Sequence, residues 1–452
     1  MGPRLVNIDR QTPMLMPPDM REWVEEDDLA HFIVDAVEVI DLSAATLNVR
    51  GSGSEQYPPG MMLGVLIYCY ARGIFSSREI ERATRQQVSV RYLAGDTHPD
   101  HDTIAKFRRE NGALLRSVFV EVLRLAKASG LLRLGAIAID GTKLKAAAAK
   151  SRSMRLRQIE EELEKITARV EGLLKRAEAA DENSLDNGGE LPGELAEAKA
   201  RRDRLLKAKA ELEHETRELH QERERQRASE ESRGVPKRAR VRSLPAEPRP
   251  ESQINPTDPQ SVLLPTAQHI FLQGYNAQMA LSVPGEGACG GPGVSLIVAA
   301  EVVRQANDIL QLEPISEAAI ENLAEPPASV LVDTGYDNTR QILSLEERHG
   351  LRVLCPPAKS ARAKPGHVSR YRWDRQRHEA RQAMRKRFED PVERALYKRR
   401  ATSVEPAFGI VKNAMGFDRF RLRGLEKAGI EWTLVSLAFN CRRLAAAKAK
   451  WN

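Results

Sequence analysis

Apolar positions in the first part of the chain recur at helical spacing. Leu29, Phe32, Ile33, Ala36, Val37 and Ile40 line one face of an amphipathic helix, and the acidic opening Glu25-Glu26-Asp27-Asp28 suits its positive end. Residues 1–16 read as irregular and Gly51 to Gly60 as a loop; Met61 to Tyr70 is apolar almost throughout and predicts a core helix. Ser76-Ser77-Arg78-Glu79 opens another helix. After Gly95, the run His98-Pro-Asp-His101-Asp102-Thr-Ile-Ala-Lys106-Phe-Arg108-Arg109 predicts one more, capped by Asp102 or Thr103, with Leu114, Val118, Val122 and Leu125 along one face. Short helices with Lys106, Arg108 and Arg109 near the start of the last fit a helix-turn-helix module, and equally a small bundle with a solvated basic face. His98 and His101 read as turn and capping residues.

From Leu134 the period shortens. Gly135-Ala-Ile-Ala-Ile139 predicts a buried strand ending in Asp140-Gly141-Thr142. Residues 273–282 and 294–300 read as two antiparallel strands across a Gly/Pro-rich turn, followed by a helix over 309–322. Ser329-Val-Leu-Val332 predicts a second strand ending in Asp333-Thr-Gly335-Tyr336-Asp337, then a helix over 338–349 and a strand over 351–355. Thr402 or Ser403 can cap a helix with Pro406 in its first turn. Val404, Phe408, Val411 and Met415 form its seam, and Glu405 and Lys412 share a neighbouring face. Trp432, Leu434, Val435, Leu437, Ala438 and Leu444 mark a last amphipathic helix.

Residues 154 to about 225 interrupt this alternation. Ile159, Leu163, Ile166, Val170, Leu173 and Ala177 keep a heptad seam, Asp181 to Gly193 breaks it, and Leu205, Ala208, Leu212 and Leu219 resume it. An antiparallel helical hairpin is the simplest account, and pairing between chains fits the same heptads. Arg223 to Pro256 is polar, basic and Pro-containing, and reads as a flexible linker.

Charge adds a partner to the picture. The 452 residues carry a net charge of +7, and residues 359–400 hold fifteen Lys/Arg against five Asp/Glu with Tyr371 and Trp373 interleaved, as on a nucleic-acid surface. Four dispersed cysteines (Cys69, Cys289, Cys355, Cys441) with no His at ligand spacing argue against a zinc site or a disulfide framework. The absence of a signal pattern and of an apolar run long enough to span a bilayer predicts a soluble cytoplasmic protein without a membrane partner. Asp140 and Asp333 end short apolar strands and Glu405 rides a helix. Three such carboxylates suit Mg²⁺, which takes oxygen ligands and leaves positions for water and phosphate.

Asp140-Gly-Thr, Asp333-x-Gly-Tyr-Asp337, Val404-Glu405-Pro-x-Phe408-Gly409-x-x-Lys412 and the tail Gly416-Phe-x-Arg419-Phe-Arg-Leu-Arg423-Gly-Leu-Glu-Lys with Glu431-Trp432 resemble the DDE-type transposases of bacterial insertion sequences. The block from His98 to Arg109 resembles the helical N-terminal domain of that family. The resemblance implies an α/β fold with an RNase H-like mixed sheet flanked by helices. Asp140 would lie on its first strand, Asp333 on its fourth and Glu405 on a C-terminal helix. It also implies a helical N-terminal DNA-binding domain (1–130), the start of the catalytic core (131–153), a coiled-coil insertion with its linker (154–256) and the rest of the core (257–452).

The implied activity is cutting at terminal inverted repeats and joining of the 3′-OH ends to target DNA. Two Mg²⁺ ions, replaceable by Mn²⁺, would be held by Asp140, Asp333 and Glu405, in a synaptic homo-oligomer on double-stranded DNA. The family's Tyr, Arg, Glu and Lys pattern maps to Tyr397, Arg400, Glu405 and Lys412 as DNA contacts around the last carboxylate. Four residues separate Arg400 from Glu405 where the better-known pattern has three, which leaves Arg399 or Arg400 as the contacting arginine. Asp337 reads as a structural turn residue, with a role as an accessory metal ligand, or in support of the ligands, as the alternative. A DNA-binding regulator without activity, and a nuclease that cuts without joining, are the rival readings.

Overall fold

The computed structural model describes residues 18–47, 55–183, 191–232, 240–266, 270–284, 293–356 and 372–451. The expectations for residues 1–16, for the turn over 285–292 and for Tyr371 lie outside them.

Six helices open the chain: α1 (Leu29–Val39), α2 (Pro59–Ala71), α3 (Ser77–Gln86), α4 (Val88–Leu93), α5 (His101–Glu110) and α6 (Gly112–Ala128). Asp28 caps α1 by accepting from Ala30 N at 2.8 Å, and α2 starts on Pro59, whose missing N–H costs nothing there. The helix expected to run from Asp102 past Leu125 is two helices. Its cap is Asp100, which accepts from Thr103 N at 2.8 Å, rather than Asp102 or Thr103. Asn111 breaks it by accepting from Thr46 N and donating to Phe107 O. At Gly112 a Cβ would lie 2.6 Å from Ile430 Cδ1, so a larger residue there would push against the Ile430 side chain. Leu125 is exposed rather than part of the buried face. His98 and His101 hold α5 against α3 through Thr84 Oγ1 (3.2 Å) and Glu81 Oε2 (2.8 Å).

The sheet follows. β1 (Ala136–Lys145) pairs antiparallel along its whole length with β5 (Phe271–Val283) and, over Ala136–Ala138 only, parallel with β7 (Ser329–Leu331). β8 (Arg352–Leu354) lies parallel beyond β7, while β4 (Val262–Pro265) and β6 (Ile297–Val303) both pair with β5. β2 (Met154–Arg155) and β3 (Gln253–Ile254) form a separate two-stranded pair. Side-chain alternation gives the sheet two covered faces. Ala136, Ala138, Val283, Leu331 and Leu354 pack on Val404 of α12 (Pro391–Gly409). Ile137, Ile139, Met279 and Leu281 join a cluster with α9 (Leu312–Leu323), α13 (Leu425–Trp451) and the N-terminal helices. The remaining helices are α7 (Leu156–Asn183), α8 (Leu191–Ser232), α10 (Thr339–His349) and α11 (Arg372–Glu389).

Two expectations about helices change. Pro406 lies inside α12, which begins at Pro391 where Asp390 accepts from Val392 N at 2.9 Å. The cap is therefore the Asp390-Pro391 pair, and Thr402 and Ser403 hydroxyls donate back to Arg399 O within the helix. One π turn, Ile410–Ala414, follows Gly409. The stretch expected as a flexible linker is also structured in part: α8 continues to Ser232, and Val241 N donates back to Glu230. Ile254 packs with Leu156, Ile159, Leu205, Ala208 and Leu212. Ile166, Val170 and Leu173 meet Leu195 and Ala198, so α7 and α8 lie antiparallel within one chain. Leu219 stays exposed.

One buried ionic knot ties the two ends of the chain together. Glu431 on α13 is fully buried and accepts from Tyr70 OH (2.9 Å) and from the N–H groups of Arg421 (2.7 Å) and Leu422 (2.9 Å). Arg108 donates to Tyr70 OH at 2.7 Å and to Phe75 O at 2.8 Å. Trp432, next in sequence, donates its ring N–H to Gln278 O on β5 at 2.8 Å. Replacing Glu431 with Ala strips four donors of their acceptor or charge partner and should cost about 3–5 kcal/mol. Urea unfolding of the full chain measures it; a loss below about 1 kcal/mol would mean that the knot does not hold the ends together.

Candidate active site

The parity that puts Ala136 and Ala138 against α12 puts Asp140 and Thr142 on the same side. Contrary to the expectation, β1 does not end at Asp140, because its ladder with β5 continues to Lys145. What ends near there is the pairing with β7. Beyond Leu331 the chain makes one more bond, Val332 N to Leu354 O, and then turns at Asp333, whose Oδ1 accepts from Gly335 N at 2.8 Å. The Cys355 thiol, at the end of β8, donates to Asp333 O. Parallel strands leave their sheet in the same direction, so the two aspartates share one end of it.

α12 crosses this end and supplies the counter-charge. Arg400 Nη2 lies 2.9 Å from Asp140 Oδ2 and 3.9 Å from Asp333 Oδ2. Its side chain is 12% exposed against 23% for Asp140 and 45% for Asp333, so the guanidinium is the most enclosed of the three. Burial pushes the Asp140 carboxyl up to about 6; Arg400 and the Gly141 N–H oppose this, while the charges of Asp333 and Asp308 add to it. Lys412 reaches the same face, where its ammonium donates to Thr142 Oγ1 at 2.5 Å and burial lowers its pKa.

The structure separates the expected DNA contacts. Arg399 turns away from Arg400 and donates to Pro284 O. Tyr397 is half-buried, its ring edge-on to Phe388 at 4.9 Å between centroids. Lys106 and Arg109 are exposed on α5, but Arg108 is 5% exposed and committed to Tyr70, Phe75 and Ser77. Its placement on a basic outer face is corrected: the apolar positions around it turn that side of α5 inward. On α11, Arg381 pairs with Asp337 at 2.7 Å and Arg387 with Glu346, so part of the basic run serves packing.

Glu405 is exposed on α12, and among the described residues no three His, Cys, Asp or Glu side chains form a group close enough to hold a metal ion. The structure thus brings Asp140 and Asp333 together and does not bring Glu405 to them. It adds a carboxylate that the motifs did not mark. Asp308, between β6 and α9, accepts from Asn276 Nδ2 at 2.8 Å and Gln278 Nε2 at 2.6 Å. An Asp shortly before a helix reads as an ordinary turn residue, so only the spatial neighbourhood reveals it.

Two family models match the chain. A transposase domain (DUF772) covers residues 18–110, and a transposase DDE domain covers residues 353–445. The chain thus carries two transposase domains, the second of the DDE type. The second match contains Tyr397, Arg400, Glu405 and Lys412, while Asp140 and Asp333 fall between the two. No curated protein and no solved structure matches. No helix among the described residues is long and apolar enough to cross a membrane.

Gly141 makes the arrangement possible. A Cβ there would lie 2.8 Å from Asp308 Oδ1 and 3.0 Å from Asn276 Oδ1. Gly141→Ala should destabilise the protein by about 1–3 kcal/mol through overpacking. Thermal unfolding checks this, and an unchanged midpoint would show that the polar cluster yields freely.

Proposed function

We propose that this chain is an active DNA transposase that binds the terminal inverted repeats of an insertion sequence, cuts there and joins the freed 3′-OH ends to target DNA. The observation that carries the reading is the pair Asp140 and Asp333 at one end of two parallel strands, bridged by a half-buried arginine from the helix that bears Glu405. The strand order supports an RNase H-like core: β6, β5 and β1 antiparallel in turn, then β7 and β8 parallel to β1.

The donor set fits hard divalent cations. It is all oxygen, and a guanidinium already occupies the place between the two carboxylates as a stand-in positive charge. Asp140 and Asp333 would hold Mg²⁺ or Mn²⁺, with Glu405 closing on them from α12, where it lies between the Arg400 and Lys412 contacts along the chain. Two bound ions supply activation of the attacking oxygen and stabilisation of the leaving one. The chain's own residues then do the positioning. Arg400, released from the carboxylates, and Lys412, released from Thr142, present two cations to the phosphates flanking the cut. Tyr397 backs them from its half-buried place against Phe388. Lys106 and Arg109 on α5, the exposed cations of α11 and Arg399 add backbone affinity for double-stranded DNA. The α7–α8 hairpin would be a short intramolecular coiled coil, and the synaptic complex a homo-oligomer in the cytoplasm, on the nucleoid.

A labelled duplex carrying a pre-cleaved end tests strand transfer directly in Mg²⁺. Asp140→Ala, Asp333→Ala and Glu405→Ala should each lower the rate by more than about 100-fold, beyond what loss of an outer-shell partner causes. Cutting without joining in the wild type would make the protein a nuclease. Unchanged rates in the variants would remove the site assignment.

A further inference from the structure

Resting on the DNA reading above, we propose that Arg419, Arg421 and Arg423 form a row that grips the phosphates of duplex DNA beside the gap containing Asp140. A strand has two edges. β5 takes one edge of β1 from Ala136 to Lys145. β7, at Ala136–Ala138, and Arg419, which bridges in parallel to Lys145, therefore both lie along the other. Among the described residues no strand pairs with that edge between them, which leaves a gap of roughly 20 Å at about 3.4 Å per residue. Asp140 and Thr142 lie in the gap, in contact with Arg400 and Lys412. The segment after Asp418 forms its far lip. Arg419 sits roughly 17 Å along the strand from Asp140, so the row positions DNA and does not touch the reacting atoms.

The segment is held from behind. Phe420 and Leu422 are buried, while Arg419, Arg421 and Arg423 between and beside them are exposed. The Phe420 ring stands edge-on to Phe417 at 5.5 Å and to Tyr275 at 5.8 Å. Phe420 N donates to Lys145 O at 2.8 Å, Arg421 N and Leu422 N donate to Glu431, and Gly424 N donates to Asp258 Oδ1 at 3.0 Å. A backbone fixed in this way presents its side chains with little further ordering to lose on binding.

The three guanidinium groups have no ion pair among the described residues. Arg423 donates to Ala147 O at 3.3 Å. The carboxylates beside them are committed elsewhere: Asp418 to Lys145 at 2.7 Å, and buried Asp258 to Tyr275 OH and Gly424 N. Arginines that serve packing in this chain are matched by a carboxylate, as Arg381 and Arg387 are. Three unmatched like charges within five residues repel one another, and a polyanion relieves that repulsion. The planar guanidinium fork suits phosphate oxygens.

The test is binding of the full-length protein, without metal, to an end-bearing duplex and to an unrelated duplex over a range of salt. The triple variant R419Q/R421Q/R423Q should lower the slope of log affinity against log salt by about 2–3, and each single variant by about 1. Both duplexes should weaken alike, and the thermal midpoint should hold because the replaced groups are exposed. The triple variant R217Q/R223Q/R225Q removes the same charge from exposed positions on α8 and should keep the wild-type slope. An equal loss of slope in that control would make the effect one of net charge and overturn the row. A loss confined to the end-bearing duplex would replace phosphate holding by base reading and overturn it too. If the wild type binds and R419Q/R421Q/R423Q keeps its slope, the row falls and the DNA reading stands. If the wild type binds neither duplex, both fall.

Discussion

Two carboxylates that emerge side by side from parallel strands cannot both be charged and partly buried without a cation between them. Here the cation is Arg400, which leans 2.9 Å from Asp140 and 3.9 Å from Asp333. The rest of the site follows from that contact. It requires α12 to cross the end of the sheet, it requires Val404 one turn later to be buried against Ala136, Ala138 and Leu331, and it sets Lys412 over Thr142. Arg400 from α12 and Lys412 from the π turn that follows it both reach β1. In the proposed reading both are displaced when metal and DNA arrive, so the site is held shut by groups that later grip the substrate.

Much of this was legible in the residues. The short apolar runs before Asp140 and Asp333 declare strands because nothing polar interrupts them, and the sheet confirms both. The heptad in α7, resumed in α8, makes a hairpin the simplest account but leaves pairing between chains open, and the packing of Ile166, Val170 and Leu173 on Leu195 and Ala198 is what shows the hairpin. Other features depend on contacts far apart in sequence. Pro406 looks like a first-turn proline, whereas Asp390 and Pro391 start α12 earlier and the helix tolerates the second proline. Arg108 looks like its neighbours Lys106 and Arg109 in sequence, and only the burial of Tyr70 and Glu431 tells it apart. The position of Asp308 near the aspartate pair depends on Gln278 and Asn276, residues on another strand. The choice between Arg399 and Arg400 also depended on space. The two point in different directions, and only Arg400 reaches the carboxylates.

The joint between the chain's ends bears on how such a protein works. The helices matched as one transposase domain and the helix α13 matched within the other share a continuous buried cluster, locked by Glu431. A displacement of α5 on DNA would be carried through Arg108 and Tyr70 to α13, and from Trp432 to Gln278 on β5. Gln278 also donates to Asp308 beside the aspartate pair. The same packing that stabilises the fold therefore connects a candidate DNA-reading face to the candidate chemistry by rigid, buried contacts.

The exchange of Arg400 for a divalent cation is the central claim, and anomalous diffraction from crystals grown with end DNA and Mn²⁺ tests it most directly. The account predicts manganese between the Asp140 and Asp333 carboxylates, with Arg400 moved onto a DNA phosphate. A map with Arg400 still bridging the two aspartates and no manganese beside them would contradict it.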